Sequence, residues 1–130
     1  MNPRPLLEDF DRAIGRLEEA LDLRPSDEIR RAGCIQYFEF TFELAWKAIQ
    51  AMAAYYGVEP VRSPRAAFKA AFGQGWVSEQ EPWLEMLEAR NRMSHTYNAE
   101  EALEVFDQLE RFRLPLRDLH RSLYQALQNA

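Results

Sequence analysis

Between Arg90 and Tyr97 the chain places a permanent cation, a carboxamide, a titratable imidazole and a phenol within one short stretch, Arg90-Asn91-Arg92-Met93-Ser94-His95-Thr96-Tyr97. An imidazole that titrates near neutrality moves protons, and a forked guanidinium holds anionic oxygens. Arg90 and His95 are therefore equipped for acid–base work beside a negative charge. The chain has 2 histidines, and the other, His120, lies in a Leu/Arg-rich run from Leu114 to Leu127 with no comparable neighbours. The same residue types also suit a purely structural helix end, with Arg and Asn capping or ion-pairing and His95 a satisfied corner residue.

Spacing constrains how these groups meet. On a continuous helix at ~100° per residue, Arg90 and Tyr97 point within ~20° of each other and Asn91 shares a face with His95, whereas Arg90 and His95 stand ~140° apart. The pair converges only if the helix breaks near His95 or a second copy of the chain completes the site. Asn98-Ala99-Glu100-Glu101 supports the break, reading as an N-cap with an acidic residue at N3. A short corner from His95 to Tyr97 is expected between two helices.

The elements that must position this corner are all helical. Leu7, Phe10, Ile14, Leu17 and Leu21 form one apolar stripe of a first helix, from Pro5 or Leu6 to about Leu23. Ser26 is the expected N-cap of a second helix reaching Tyr56, with Asp27 and Glu28 in its first turn and Gly57 as its stop. Its stripe is Ile35, Phe38, Phe42, Ala45, Ile49, Met52 and Tyr56, and Tyr37, Phe40, Leu44 and Trp46 widen it, predicting packing from several sides. Glu39, Glu43 and Lys47 are embedded in that run. Glu43 and Lys47 fit a structural i,i+4 ion pair; alternatively, either borders the Arg90 and His95 site.

Ser63-Pro64 opens a short third helix with Ala67, Phe68, Ala71 and Phe72 inward, ending at Gly73-Gln74-Gly75. Arg62, Arg65 and Lys69, at i, i+3 and i+7, gather positive charge on one side, suited to a phosphate backbone or an acidic partner as well as to plain solvation. Trp76 and Val77 pack the following turn. A fourth helix, from Glu79 or Pro82 to Ser94 with Ser78 able to cap it, carries Trp83, Leu84, Met86, Leu87 and Met93 in or near the core and delivers Arg90 and Asn91. The fifth, Ala99 to about Leu127, places Leu103, Phe106, Leu109, Leu116, Leu119, Leu123 and Leu127 at helical intervals, and Pro115 is expected to kink or split it. Without strand-like alternation, repeats or a phosphate-binding glycine loop, the pattern predicts an all-α, up-and-down bundle of four or five helices in a single domain over residues 1–130.

Composition sets the outer limits. At 130 residues with 47% hydrophobic and 28% charged residues, the chain can bury one sizeable core and is not of disordered type. A net charge of -5 gives no global signal for nucleic acid or anionic membrane, so any RNA contact requires a local basic patch. Cys34 is the single cysteine, expected as a buried small hydrophobe. Met1 to Pro5 lacks an apolar targeting core, and the longest apolar run, Ala51 to Val58, is too short to span a bilayer, so a cytoplasmic location without membrane contact is expected.

Taken together, Phe38-Glu39-Phe40-Thr41-Phe42-Glu43-Leu44-Ala45-Trp46-Lys47, then Ser63-Pro64-Arg65, then Trp83, then Arg90-Asn91 through Ser94-His95-Thr96-Tyr97, resemble the nucleotidyltransferase substrate-binding family, a branch of the HEPN superfamily. The resemblance runs from about Leu7 to Leu123. It implies a HEPN-like bundle that pairs as a homodimer, and in many members a metal-independent endoribonuclease site of an Arg followed by a His, here Arg90 and His95. Asn91 falls on the common polar position. Ser94, Glu43 and Lys47 are candidate supporting groups, and Arg92, Arg62, Arg65 and Lys69 candidate contacts for RNA or a partner. The resemblance also implies a minimal nucleotidyltransferase encoded nearby. In HepT-like toxins such an enzyme adenylylates a tyrosine that matches Tyr97 here. No metal or other cofactor is implied. The expectation is a toxin that cuts RNA and is silenced at Tyr97. The alternative is a non-catalytic subunit that binds substrate for the nucleotidyltransferase, and a third reading is a helical interaction module whose motif is structural.

Overall fold

A computed structural model describes residues 2–58, 60–94 and 98–130. Five helices follow in order: α1 (Arg4–Asp22), α2 (Glu28–Tyr55), α3 (Pro64–Gly73), α4 (Glu81–Met93) and α5 (Ala99–Gln128), with no strand among the described residues. The stops and starts are local chemistry. Ser63 accepts a hydrogen bond from the Ala66 N–H and Pro64 fills the first turn of α3. Asn98 accepts from the Glu101 N–H at 3.0 Å and starts α5, so the helix breaks where the sequence requires it.

Two caps differ from expectation. Asp27, not Ser26, caps α2, its carboxylate accepting from the Arg30 N–H at 3.1 Å; an ionised acceptor is the stronger partner for an N-terminal N–H. Ser78 does not cap α4, whose N-cap is Gln80 without a side-chain bond, because the helix starts two residues later, at Glu81, with Pro82 in its first turn. Pro115 does not split α5. Buried Leu109 and Phe112 before it and Leu116 and Leu119 after it fasten both halves to the same core, which offsets the roughly 3 kcal/mol cost of an interior proline.

Helix directions follow from cross-helix pairs. Arg31 lies over Phe106, Phe38 stacks on Phe112 at 5.5 Å, and the Tyr56 hydroxyl donates to the Ala126 carbonyl, so α2 and α5 run parallel side by side. On one flank α1 runs antiparallel to α5, joined by His120 to Leu7, Arg117 to Glu18 and Arg113 to Asp22. On the other flank α4 is also antiparallel to α5, through Arg111 to Glu85 and Arg92 to Glu104. α3 braces α2 and α4, with Phe68 against Phe42 and Trp83.

All five residues of the expected α1 stripe are buried, as is Cys34. The α2 stripe is buried from Ile35 to Met52, but Tyr56 is not, and Tyr37 and Phe40 remain exposed, Phe40 by 54%. The broad apolar surface of α2 is therefore only partly consumed within one chain. Phe72, Leu84 and Leu103 also face outward rather than into the core, because each sits at the edge of its helix's buried stripe. None of the helices is long and apolar enough to cross a membrane, among the described residues.

Gly33 lies inside α2, and a methyl group there would meet nothing within 4 Å. Gly33→Ala is expected to stabilise the fold by about 0.5–1 kcal/mol through backbone entropy alone, read as a higher urea midpoint with an unchanged slope.

Candidate functional site

Trp83, Met86, Leu87 and Ala89 are buried and seat α4, which fixes the direction in which its last turn presents Arg90. The guanidinium lies over the Phe42 ring, 5.5 Å from its centre. One Nη donates to Glu43 Oε1 at 2.7 Å, and the other to the Asn91 side-chain oxygen at 3.0 Å. Glu43 is itself held: its Oε2 accepts from the Trp46 indole N–H at 3.1 Å, with Lys47 Nζ at 4.0 Å. Arg90 thus rests on an aromatic face and is clamped from two sides, with about two-thirds of the fully exposed side-chain surface covered (29% remains).

The electrostatics of the two carboxylates on this face of α2 diverge. Burial pushes the Glu43 carboxyl up, but hydrogen bonds from Arg90 and Trp46 and the charges of Arg90 and Lys47 outweigh it and hold the group below the usual glutamate range. Glu39, one turn earlier, is pushed up by burial, and the charge of Arg90 offsets this only in part.

The structure brings together Arg90, Asn91, Glu43 and Lys47. Of the two readings of Glu43, it makes the cross-helix contact to Arg90 the short one and leaves Lys47 at the margin of pairing. Arg92 turns away to Glu104 on α5 at 2.8 Å. Ser94 ends α4, its hydroxyl donating to the Asn91 carbonyl at 2.7 Å. His95 and Tyr97 lie outside the described residues, although α4 ends at Met93 and α5 begins at Ala99 on either side of them. Arg62, Arg65 and Lys69 are exposed, and Arg62 precedes the Ser63 cap, so only Arg65 and Lys69 share a helical face.

His120 is structural. It packs against Phe10 at 5.8 Å and stacks on Tyr124, and its Nε2 donates to the Leu7 carbonyl at 3.1 Å. Three partners of Arg90 were not assigned to it from the sequence: the Phe42 ring, the Glu39 charge and, through Glu43, the Trp46 indole. The signal available was Glu39, Glu43 and Trp46 placed among aromatics on a helix crowded with apolar residues. A concavity of about 490 Å³ lies elsewhere, walled by Trp76, Pro82, Leu114 and Pro115, and shares no residue with the Arg90 cluster.

Over residues 6–125 the sequence matches the family described as "Nucleotidyltransferase substrate binding protein like", the family that the motifs resemble. It is 29% identical over 110 residues to a protein of Haemophilus influenzae named "Probable ribonuclease HepT", covering 80% of this chain and 75% of that one. Among solved structures it is similar to a protein of Thermus thermophilus, with a TM-score of 0.70 and 30% identity over 92% of this chain and 97% of that chain. A Haemophilus influenzae structure, described as revealing the fold of a substrate binding domain of a nucleotidyltransferase, aligns with a TM-score of 0.78 and 26% identity over 91% of this chain and 98% of that one.

The opposed carboxylates give a pH signature. Glu43, with its folded value lowered, contributes stability that is full above the ordinary value of 4.5 and is lost as pH falls through the lowered value. For Glu39 the sign reverses: its ionisation is disfavoured in the fold, a penalty present above its raised value and absent below 4.5. Glu39→Gln is therefore expected to raise the urea midpoint at about pH 7 and not at about pH 4, whereas Glu43→Gln lowers it at about pH 7 and converges with wild type as the solution is acidified.

Proposed function

The chain belongs to the nucleotidyltransferase substrate binding protein like family, and we propose that within it this protein is a HEPN-type toxin: a homodimeric, metal-independent endoribonuclease controlled by a minimal nucleotidyltransferase. The observation that carries the reading is the clamped Arg90 at the end of α4, five positions before His95 in the sequence. Of a guanidinium's five N–H donors, one goes to Glu43 and one to Asn91. The others are free of acceptors among the described residues and suit a phosphoryl oxygen.

Cleaving RNA without a metal needs a proton moved at the ribose 2′-hydroxyl or the leaving oxygen, and charge stabilised on the phosphoryl group. His95 takes the first role and Arg90 the second. Glu43 and Phe42 hold the guanidinium in place beforehand, so little reorganisation is left for the reaction. The second copy is assigned to the surface of Tyr37, Phe40 and Leu44, which lies at helical spacing beside Glu43 and Lys47 and is incompletely covered in one chain. Adenylate on Tyr97 adds bulk and negative charge two residues from His95 and repels a substrate phosphate.

The description of the Haemophilus influenzae structure as a substrate binding domain favours a second reading, in which the chain only presents substrate to the nucleotidyltransferase. Incubation of total RNA and tRNA with purified, adenylate-free protein in excess EDTA separates the two. Wild type is expected to cleave, and folded Arg90→Ala and His95→Ala are each expected to fall by at least ~10²-fold. No cleavage by wild type would select the binding subunit, and cleavage persisting in either variant would remove that residue from the mechanism. On co-expression with the nucleotidyltransferase, intact mass is expected to rise by one or more adenylates in wild type and not in Tyr97→Phe; equal masses would remove Tyr97 from the control.

A further inference from the structure

The chain carries 21 acidic residues, yet none falls between Val61 and Ser78, the segment that holds Arg62, Arg65 and Lys69. Elsewhere the arginines are largely neutralised: Arg90, Arg92, Arg111, Arg113, Arg117 and Arg121 each have a carboxylate within 3.1 Å. Arg62, Arg65 and Lys69 pair with no acidic side chain among the described residues, and all three are exposed. In a molecule of net charge -5 this is a local positive field without a paired counterion among the described residues.

An aromatic ring belongs to the same face. At ~100° per residue, Arg65, Lys69 and Phe72 fall within about 60° of arc on α3, and Phe72 is 46% exposed. Phe68, whose position on the helix adjoins Arg65 and Phe72, points into the protein and meets Phe42 at 5.6 Å, the ring over which Arg90 lies at 5.5 Å. Two ring contacts therefore link the α3 face to the Arg90 guanidinium. The segment that carries Arg62 is tied to α2, where the Gln50 amide, three residues beyond Lys47, donates to the Val61 carbonyl at 2.6 Å.

We propose that this face of α3, extended by Arg62 just before the Ser63 cap, is a track for single-stranded RNA, with Arg62, Arg65 and Lys69 meeting backbone phosphates and Phe72 offering its ring to a base. Unpaired cations interleaved with an exposed aromatic are what a strand of phosphates and unstacked bases requires. The alternation of cations with a ring on one face matches the alternation of phosphate and base along a strand. The track takes RNA as substrate class from the function proposed above, but its test reads binding alone.

The probe is a fluorescent oligouridylate of about twelve nucleotides carrying 2′-O-methyl groups, which cannot be cut through the 2′-hydroxyl, titrated by anisotropy across a salt series. Wild type is expected to bind with an affinity that falls with salt. Arg65→Ala with Lys69→Ala should lower the slope of log affinity against log salt by about 1.4, two phosphate contacts on a single strand, and Arg65→Lys with Lys69→Arg should restore it. Phe72→Ala should weaken binding about 5- to 100-fold at fixed salt without changing the slope. Arg12→Ala with Arg16→Ala, on exposed positions of α1, should change neither, and circular dichroism confirms that each variant is folded. Absence of binding by wild type at low salt, or an unchanged slope in the double alanine variant, would overturn the track. So would α3 variants that bind the probe normally yet fail to retain the nucleotidyltransferase, because the face would then belong to a protein partner. Intact binding with no ribonuclease activity would refute the catalytic reading and leave the track standing.

Discussion

The Phe42 ring is a shared wall between the apolar core and the polar cluster. One side of its environment is Phe38 and Phe68, both buried, and across the ring lies the Arg90 guanidinium. A cation over an aromatic face gains roughly 0.5–2 kcal/mol depending on how dry the contact is, a modest sum whose larger effect is positional. Because Phe42 cannot move without disturbing Phe38, Phe68 and through them Phe112 and Trp83, Arg90 inherits the rigidity of the core. Glu43 then fixes the rotation of the guanidinium in its own plane, and the Trp46 indole fixes Glu43.

The opposite flank is built differently. Between α1 and α5 the outer contacts are ionic, Arg117 reaching Glu18 and Asp11, and Arg113 reaching Asp22 while also pairing with Glu110 on its own helix. Their partners are largely exposed, and such pairs contribute about 0–1 kcal/mol each. They set the register of two long helices whose adhesion comes from Phe10, Ile14, Leu17, Leu116, Leu119 and Leu123 beneath. His120 belongs to that seam, filling the space between Phe10 and Tyr124 while satisfying the carbonyl of Leu7. One of the two histidines thus serves packing.

Much of this was legible before any coordinates because it is local. Apolar periodicity places α1 and α5 within a residue or two, and Ser63-Pro64 and Asn98 mark their helix starts by cap chemistry. Where adjacent residues can do the same job, as with Ser26 and Asp27, sequence does not choose between them, and the charged one won. The Arg90–Glu43 clamp joins groups 47 positions apart. Nothing in the spacing of either helix specifies which turn of α4 crosses which turn of α2, so the pairing could be named as an alternative but not selected. Periodicity also overstates burial: Phe40 and Phe72 have the right hydrophobicity and lie at the edge of their stripes, where a single chain supplies no neighbour.

The parallel seating of α2 beside α5 has a consequence for the order in which the molecule is assembled. α1 and α2 are consecutive and antiparallel, so they can meet as soon as both have been synthesised, whereas α5 must close across everything from Tyr56 to Asn98 before Phe112 reaches Phe38. Contacts that span such a loop form late, because chain entropy is lost before they repay it. The end of α4 is followed in the chain by the Asn98 cap of α5, so that boundary is set only once α5 is in place. A nascent or truncated chain lacking α5 would thus hold Arg90 and Glu43 without Glu104, the α5 partner of Arg92, and without Phe112 behind Phe38 and Phe42, so the support of the Arg90 clamp is a property of the chain with α5 docked.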